Sequence, residues 1–388
     1  MSTPARIGRY ELIRRLGKGM TDVYLAIDTV ANRKAALKLI PSKGDAHNRL
    51  VLEAERRGAA IQRELRGLDP RVVEVYETGD LDGFFFVAMQ YVEGRDLAEV
   101  LSAEHTLDSI RAAAIALEIC EQLAKFHTWR SAVVHGDIKP SNIHLGPNDT
   151  VRLLDFGISK TLRADCDATF SHFGSPSYCS PERLTRSEID EQSDLWAVGA
   201  TLYQMLAGFP PYQADNTRRL ESLIRSKRPP RALPSKCPAA LRAIAMKALA
   251  PEAARRYRSA RDFQADLQAF LENKPVRAEL ERRSAWNAAA TIERLRRITR
   301  TVVKLQRRLQ VVGAAGWFLL GMALWVGATV AWRSWPAPFV PMELTPPAAP
   351  PAHWELLSAA PVEAAPDAPP APPKKAHAPP HRKKRYRR

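Results

Sequence analysis

The sequence has 388 residues and a formal net charge of +16 at pH 7, with 45% hydrophobic and 26% charged residues. This composition is that of a globular protein and excludes disorder of the whole chain, and the length allows two or three folded units. The four cysteines lack the paired spacing of a zinc site or a disulfide framework, which is typical of a reducing compartment.

The positive charge is unevenly distributed along the chain. Residues 1–275 carry 39 basic and 35 acidic side chains, residues 276–310 carry 10 and 3, and residues 333–388 carry 9 and 4. A strongly basic folded surface would favour nucleic acid as a partner. Residues 1–275 have nearly equal numbers of basic and acidic side chains, so the sequence does not favour nucleic acid as a partner. The excess positive charge belongs to the later segments.

The first motif is a glycine-containing turn between two strand-like runs, and it reads LGKGMTDVY over residues 16–24. Two glycines in such a turn allow backbone amides to approach phosphate oxygens, because no side chain stands in the way. Taken alone, the pattern is equally typical of a plain hairpin.

Three further motifs follow along the chain: AALK at 35–38, VVHGDIKPSNIHL at 133–145 and VRLLDFGISK at 151–160. The second places Asp137, Lys139 and Asn142 in a short loop between apolar runs. The third places Asp155 at the end of a predicted strand. These groups suit phosphoryl transfer, which needs a group that orients the attacking hydroxyl, cations for the phosphate and oxygen ligands for magnesium.

The motifs, in this order, resemble the eukaryotic-type (Hanks-type) protein kinase family, specifically the bacterial membrane-anchored serine/threonine kinases. The resemblance runs from about Tyr10 to Leu271 and implies an α+β, bilobal kinase fold over residues 8–272. A small β-rich N-lobe would cover 8–91 and a larger helical C-lobe 92–272. The resemblance also implies ATP and Mg²⁺, or Mn²⁺, as cofactors, and serine or threonine hydroxyls of proteins as substrates.

A nucleotide site is implied in the N-lobe, where Lys38 would hold the α- and β-phosphates. Lys38 is expected to pair with a glutamate of the following helix. Glu53, Glu55 and Glu64 are candidates, and Glu55 is favoured because small residues follow it at the family's spacing. The other implied contacts are Leu16, Gly17, Lys18 and Gly19 of the phosphate loop, Val23 and Ala36 over the adenine ring, Met89 as gatekeeper, Gln90 to Val92 of the hinge, and His144 on the pocket floor.

The resemblance implies that Asp137 is the catalytic aspartate, which orients the substrate hydroxyl and accepts its proton. Lys139 would stabilise charge on the transferred phosphate, and its spacing is that of serine/threonine kinases. Asn142 and Asp155 match the two metal ligands. Ser175 matches the hydroxyl that contacts the catalytic aspartate.

Two structural interactions are also implied by the resemblance. Glu182 would pair with an arginine late in the domain, and Arg256 is favoured. Asp194 would brace the catalytic loop from a core helix.

Two departures from the family pattern favour a second hypothesis. Asp22 replaces the third glycine of the phosphate loop, and its carboxylate would repel ATP phosphates if it pointed inward. Gly136 replaces the arginine that receives an activation-loop phosphate, which predicts activity without such phosphorylation. The alternative to an active enzyme is a catalytically silent pseudokinase that serves as a membrane scaffold.

Residues 276–310 are predicted to form a basic juxtamembrane helix with apolar side chains at intervals of seven. One interpretation is a short coiled coil, and hence a homodimer. The other is an amphipathic helix on anionic lipid, which is favoured because like charges flank the apolar seam. The seam consists of Leu295, Val302 and Leu309, with Ile298, Leu305 and Val312 between them.

Residues 311–332 contain neither a charge nor a proline. They are long enough for a single transmembrane helix. Seven basic residues lie within the twenty before this run, and only Arg333 lies in the twenty after it. The charge bias therefore places the kinase-like domain in the cytoplasm, on the inner membrane, with the C-terminal segment outside. Residues 333–388, which hold 15 of the 30 prolines and end in a basic cluster, are predicted to be a disordered tail.

Overall fold

A computed structural model describes residues 5–18, 21–130, 132–157, 159–161, 175–186, 189–226, 228–309 and 315–333. The chain divides into one compact unit over residues 1–303 and a second over residues 304–388.

An antiparallel sheet of six strands forms the N-terminal part of the first unit. The strands are β1 (Arg6–Ile7), β2 (Tyr10–Lys18), β3 (Asp22–Asp28), β4 (Arg33–Pro41), β5 (Val75–Leu81) and β6 (Phe84–Gln90). They lie in the order β1-β2-β3-β4-β6-β5. Successive side chains of a strand point to opposite faces. Leu37 and Leu39 of β4 accordingly join one apolar cluster, while Ile40 joins the other.

Helix α1 (Ala46–Arg66) connects β4 to β5 and packs on the Ile40 face of the sheet. The helix begins after Asp45, whose carboxylate accepts a hydrogen bond from the backbone amide of Asn48. This is the usual way to satisfy an N-terminal amide of a helix. Because Lys38 shares the alternation of Ile40, it is expected to lie on the α1 side of the sheet.

The C-terminal part of the first unit is helical. Its helices are α2 (Leu97–Glu104), α3 (Ser109–His127), α4 (Pro181–Arg186), α5 (Glu191–Ala207), α6 (Thr217–Arg225), α7 (Ala239–Ala248) and α8 (Ala260–Leu271). Short strands β7 (Arg95–Asp96), β9 (Ile143–Leu145) and β10 (Val151–Leu153) form one small sheet, and β8 (Val133–Val134) and β11 (Lys160–Thr161) form another. This β-rich N-terminal part and helical C-terminal part confirm the predicted α+β bilobal kinase fold.

Helix α5 is the centre of the helical part, and α3 and α7 pack against it. After the first turn its side chains are mostly apolar and nearly all buried, and a helix of this kind is stable only inside a core. Asp190 and Ser193 form a reciprocal capping box at its start, and Gly208 ends it with a φ of 84°. The helix therefore has fixed limits, and Asp194 lies in its first turn.

The predicted pair of Glu182 and Arg256 is present. The two terminal guanidinium nitrogens of Arg256 donate to the carboxylate of Glu182, at 2.5 and 2.9 Å, and the arginine side chain is fully buried. A paired geometry of this kind is among the stronger ionic contacts in proteins. It ties α4 to the segment that precedes α8.

Two helices follow, α9 (Arg277–Leu309) and α10 (Ala315–Arg333). Asp266 of α8 accepts hydrogen bonds from the backbone amides of Arg277 and Ala278, at 2.9 and 3.0 Å, and so fixes the start of α9. Within the described residues, no helix is both long and apolar enough to cross a membrane. The described residues therefore do not support the transmembrane helix predicted at 311–332. Residues 311–314 and 334–388 lie outside the described part of the chain.

Candidate active site

Lys38 lies between two carboxylates. Its Nζ is 2.6 Å from Oε1 of Glu55 and 2.9 Å from Oδ1 of Asp155, and the lysine side chain is 7% exposed. Burial by itself lowers the pKa of Lys38, but the charges of Asp155 and Glu55 outweigh this effect and raise the pKa above its usual value. The amine therefore stays positively charged, as a phosphate-binding group must.

Glu55 is the one of the three candidate glutamates that contacts Lys38. Glu53 lies on another face of α1, where its carboxylate is 3.3 Å from Arg57 and largely exposed. Gly58, three residues after Glu55, faces the same direction along the helix. A Cβ atom at Gly58 would lie 2.5 Å from the carbonyl oxygen of Phe156. A glycine at this position thus brings α1 close enough for Glu55 to reach Lys38.

Asp155 has a φ of 65°, a conformation that residues with side chains rarely adopt. The preceding backbone amide, of Leu154, donates to the carbonyl of Asn142 at 2.8 Å, which places the two predicted metal ligands side by side in the fold. Burial by itself raises the pKa of Asp155, but the charge of Lys38 lowers it to about 2. Asp155 is therefore a carboxylate at every physiological pH.

The loop that carries Asp137 is fixed from below by Asp194. The buried carboxylate of Asp194 accepts hydrogen bonds from the backbone amides of His135 and Gly136, at 2.9 and 2.8 Å. It also lies 2.9 Å from Nε2 of His127 on α3. Burial by itself raises the pKa of Asp194, but the hydrogen bond with His127 lowers it below its usual value. The implied bracing role of Asp194 thus has a direct geometric basis.

Asp137 is held by two neighbours of the same loop. Its Oδ2 lies 2.7 Å from Nζ of Lys139 and 2.8 Å from Nδ2 of Asn142, which also donates to the carbonyl of Asp137. Among the described residues it is these two groups that bond the carboxylate, and not Ser175 as the resemblance implied. Lys139 and Asn142 reach Asp137 because they lie two and five residues after it in the same loop.

The donor set fits a divalent cation shared with a nucleotide. Since Nδ2 of Asn142 is engaged by Asp137, its Oδ1 remains for a cation. The backbone bond from Leu154 to Asn142 keeps Asp155 in the neighbouring segment. Mg²⁺ is usually held by one or two carboxylates together with substrate phosphates and water. The described ranges contain no group of three or more histidine, cysteine, aspartate or glutamate side chains that could hold a metal by themselves. Asn142 and Asp155 offer two oxygen donors, and phosphate oxygens of ATP and water would supply the others.

The side chains predicted to surround adenine lie near the junction of the sheet and the helical part. Six of them are half-buried, as the lining of an open cleft would be, namely Leu16, Val23, Ala36, Met89, Val92 and His144. The backbone amide of Gln90 donates to Glu74 at 2.8 Å, so it is not open to a ligand. Gly94 has a φ of 136° and lies close to the backbone of Leu145. A Cβ atom added at Gly94 would be 2.1 Å from the carbonyl oxygen of Leu145. Glycine is therefore required at the end of the hinge.

His144 is the residue that the resemblance places on the floor of the adenine pocket. Burial lowers the pKa of its imidazole below the usual value, so the ring is neutral at pH 7. The ring lies close to Gly94, where a Cβ atom would be 2.9 Å from Nε2. A neutral imidazole can serve as the flat, partly apolar floor that the resemblance implies.

The phosphate loop is described in part. Gly17 pairs with Val23 and Lys18 with Asp22 in the ladder between β2 and β3. Gly19 lies outside the described residues. The carboxylate of Asp22 accepts a hydrogen bond from the guanidinium of Arg15, an interaction that the motif alone did not reveal. Arg15 therefore partly neutralises the negative charge of Asp22, which would reduce its repulsion of the ATP phosphates.

A cavity of about 360 Å³ opens beside the catalytic loop, and sequence reasoning did not find it. Its wall includes Lys139, Ser141, Ser175, Tyr178 and Gln204. Tyr178 and Gln204 are joined by a hydrogen bond of 2.5 Å. The size of this cavity depends on the distances between α2, α5 and the catalytic loop. No local sequence motif encodes those distances.

With this fold and site, the chain belongs to the protein kinase family. Comparison with known families matches residues 10–273 to the protein kinase domain. The prediction of a bacterial serine/threonine kinase relationship is confirmed by curated relatives.

The serine/threonine-protein kinase PknD of Mycobacterium tuberculosis is 34% identical over 268 residues, which cover 67% of this chain and 39% of PknD. The kinase PknB of the same organism is 30% identical over 308 residues, covering 75% and 48%. A probable PknB of Bifidobacterium longum is 30% identical over 288 residues, covering 70% and 41%. The chain thus spans less than half the length of these relatives.

Proposed function

We propose that the protein is a serine/threonine protein kinase that transfers the γ-phosphate of ATP to hydroxyl groups of proteins in signalling, with Mg²⁺ as the cation. The observation that carries the proposal is the ion pair of Lys38 with Glu55 and Asp155, next to a loop that holds Asp137. A structural domain without catalysis would have no need of a buried lysine between two carboxylates, which is costly to desolvate.

Each residue has a role that follows from its contacts. Lys38, fixed by Glu55, binds phosphate oxygens, and Asp155 and Asn142 hold the cation. Asp137 orients the hydroxyl of the substrate and takes its proton, while Lys139 balances the charge next to it. ATP would supply the transferable phosphoryl group, and its cation would neutralise charge on the phosphate oxygens. Catalysis then consists mainly of positioning and electrostatic stabilisation, which is what phosphoryl transfer requires.

The cavity beside Lys139 and Ser175 supports a protein substrate. Its wall includes Lys139, whose Nζ lies 2.7 Å from the carboxylate of Asp137, so the cavity opens close to where the accepting hydroxyl must lie. The wall also carries three serines, a tyrosine and a glutamine. An extended peptide could place a neighbouring side chain there. We therefore assign the protein substrate to this side of the catalytic loop.

A labelled-ATP assay on the full chain separates the enzyme from the pseudokinase. The Asp137→Asn variant is expected to lower phosphate transfer by about a hundredfold or more, because it removes the group that orients the nucleophile. Asp215→Asn is the matched control, since Asp215 is 84% exposed and its ion pair is with the exposed Arg219, four residues along the chain. Transfer no higher in the native chain than in Asp137→Asn, with either magnesium or manganese, would favour the silent scaffold.

We further propose that the kinase is tethered to the cytoplasmic membrane through residues 311–332. The support is the sequence, namely the uncharged run and the basic residues before it. If the full chain is tethered in this way, it should stay in the membrane fraction after extraction at alkaline pH. Release into the soluble fraction by that treatment would count against a spanning segment without affecting the kinase assay.

A further inference from the structure

Helix α9 carries an exposed apolar stripe in its C-terminal half. Four of the five large side chains in this stripe are between 40% and 52% exposed. A contiguous group of this kind on a helix usually marks a binding surface. Its members are Ile292, Leu295, Ile298, Val302 and Val303.

These five positions share one face of the helix. At about 100° per residue they fall within an arc of about 140°, which is the width of a typical apolar face. Thr299 lies inside the same arc, and its hydroxyl donates to the carbonyl of Leu295 at 3.0 Å. Its polar group is therefore already satisfied within the helix, and the stripe is effectively apolar throughout.

The rest of the helix surface between 291 and 303 is basic. It carries four arginines and one glutamate, and Glu293 lies 3.8 Å from Arg297. By the same helical geometry, Arg294 and Arg296 border the apolar stripe on its two sides, while Arg297 and Arg300 lie across the helix from it. An apolar face bordered by arginines is typical of a helix that lies in a membrane interface, where the long side chains reach the headgroups.

The charge decides between lipid and a second copy of the chain. Two copies packed through this stripe would bring Arg294 and Arg296 of each near those of the other, with Glu293 on the far face. Anionic headgroups would instead neutralise the arginines. Each basic residue near the surface would raise the affinity for the membrane by about fivefold. We propose that the face of α9 formed by residues 292–303 lies on an anionic membrane surface, in the plane of the headgroups.

This surface goes beyond the proposed phosphoryl transfer and does not depend on a spanning segment. A helix in the interface only inserts one side chain layer, whereas a span crosses the whole hydrocarbon core. It would hold the kinase domain close to the lipid surface and so limit which substrates it reaches.

The test uses the full chain in lipid vesicles with an environment-sensitive fluorophore on a single new cysteine. Ile298→Cys places the probe in the stripe, and Arg297→Cys places it across the helix. The three described native cysteines are buried, and the native chain labelled in parallel gives the background from its own thiols. Vesicles contain either phosphatidylcholine alone or phosphatidylcholine with about a third phosphatidylglycerol, a content that gives a clearly negative surface.

The expected result is a blue shift and a severalfold rise in emission at position 298 in the anionic vesicles, with quenching by nitroxide-labelled lipid, while position 297 stays aqueous. High salt or the double variant Arg294→Gln with Arg296→Gln should weaken the response. Equal responses at 297 and 298 would overturn the proposal. So would shielding of position 298 in phosphatidylcholine alone that grows with protein concentration, since that would indicate a second copy.

Discussion

Arg15 and Asp22 form an ion pair between β2 and β3, directly beside the predicted phosphate loop. The hydroxyl of Tyr24 adds a longer contact to the same carboxylate, at 3.4 Å. Asp22 stands where the kinase pattern has a glycine, so its negative charge would otherwise lie near the phosphates. The ion pair with Arg15 offsets the charge of Asp22, so an aspartate at this position is compatible with binding of the ATP phosphates.

Replacing Arg15 by glutamine should raise the KM for ATP by about twofold to fivefold and leave kcat nearly unchanged. The effect is small because both partners are more than one-third exposed and the pair is screened by water. Steady-state kinetics with varied ATP measure it. Arg14→Gln, on the opposite face of the same strand, is the control, and adding Asp22→Asn to Arg15→Gln should restore the native KM. An unchanged KM in Arg15→Gln would mean that Asp22 does not affect the phosphates.

Replacing Glu55 by glutamine should lower kcat/KM by about a hundredfold. The buried Lys38 would lose one of its two carboxylate partners, and its Nζ would turn towards Asp155 and away from the phosphates. Glu53→Gln, two residues earlier on an exposed face of α1, should behave as the native chain. Kinetics of both variants, together with their melting temperatures, separate a lost contact from lost folding. Equal effects of the two substitutions would contradict the pairing.

Replacing Gly58 by alanine should lower kcat at least tenfold, although Gly58 touches no substrate. Its new Cβ would lie about 2.5 Å from the carbonyl of Phe156, so α1 must move and carry Glu55 away from Lys38. Gly67→Ala at the end of the same helix is the matched control, because its φ is −68° and the nearest atom is 3.4 Å away. A native kcat in Gly58→Ala would show that the position of α1 is not limiting.

Asp69 should make the stability of the fold depend on pH in the acidic range. Burial by itself raises its pKa, but hydrogen bonds from Arg71 and Lys125 lower it from 3.8 to about 2. A folded pKa below the unfolded one stabilises the protein above about pH 4, and this contribution is lost as the pH falls towards 2.

Asp69→Asn should therefore cost about 2 kcal/mol at pH 7 and little near pH 2, as the difference between the two pKa values requires. Urea unfolding across this range measures the free energy of unfolding. Asp215→Asn, at an exposed site, should show no such difference. A constant difference between native chain and Asp69→Asn at all pH values would mean that the charge of Asp69 is not what stabilises the fold.

The chemical groups of the site could be predicted from the sequence because they stand in short, ordered motifs. Asp137, Lys139 and Asn142 lie within six residues of one another, so their contacts follow from one loop. Lys38 and Asp155 are far apart in the chain, and the resemblance implied that both serve the nucleotide and its cation but did not predict their direct contact. The alternation along β4 already puts Lys38 on the face that α1 covers.

The sequence favoured Glu55 but could not establish which of Glu53, Glu55 and Glu64 pairs with Lys38. All three lie on α1, and which of them faces Lys38 depends on how the helix is rotated. That rotation is set by the contact of Gly58 with Phe156, a residue almost a hundred positions later in the chain. The same holds for His127, whose contact with Asp194 depends on the packing of α3 against α5.

The sequence by itself thus determined the class of protein, the α+β bilobal fold and the identity of the reactive groups, because local motifs encode them. It also located most of the excess positive charge in the segment that became α9 and in residues 333–388. The tertiary structure alone decided which glutamate pairs with Lys38, how Arg15 neutralises Asp22 and where a cavity opens beside Lys139. These features arise between elements distant in the chain, and packing rather than local pattern fixes such distances.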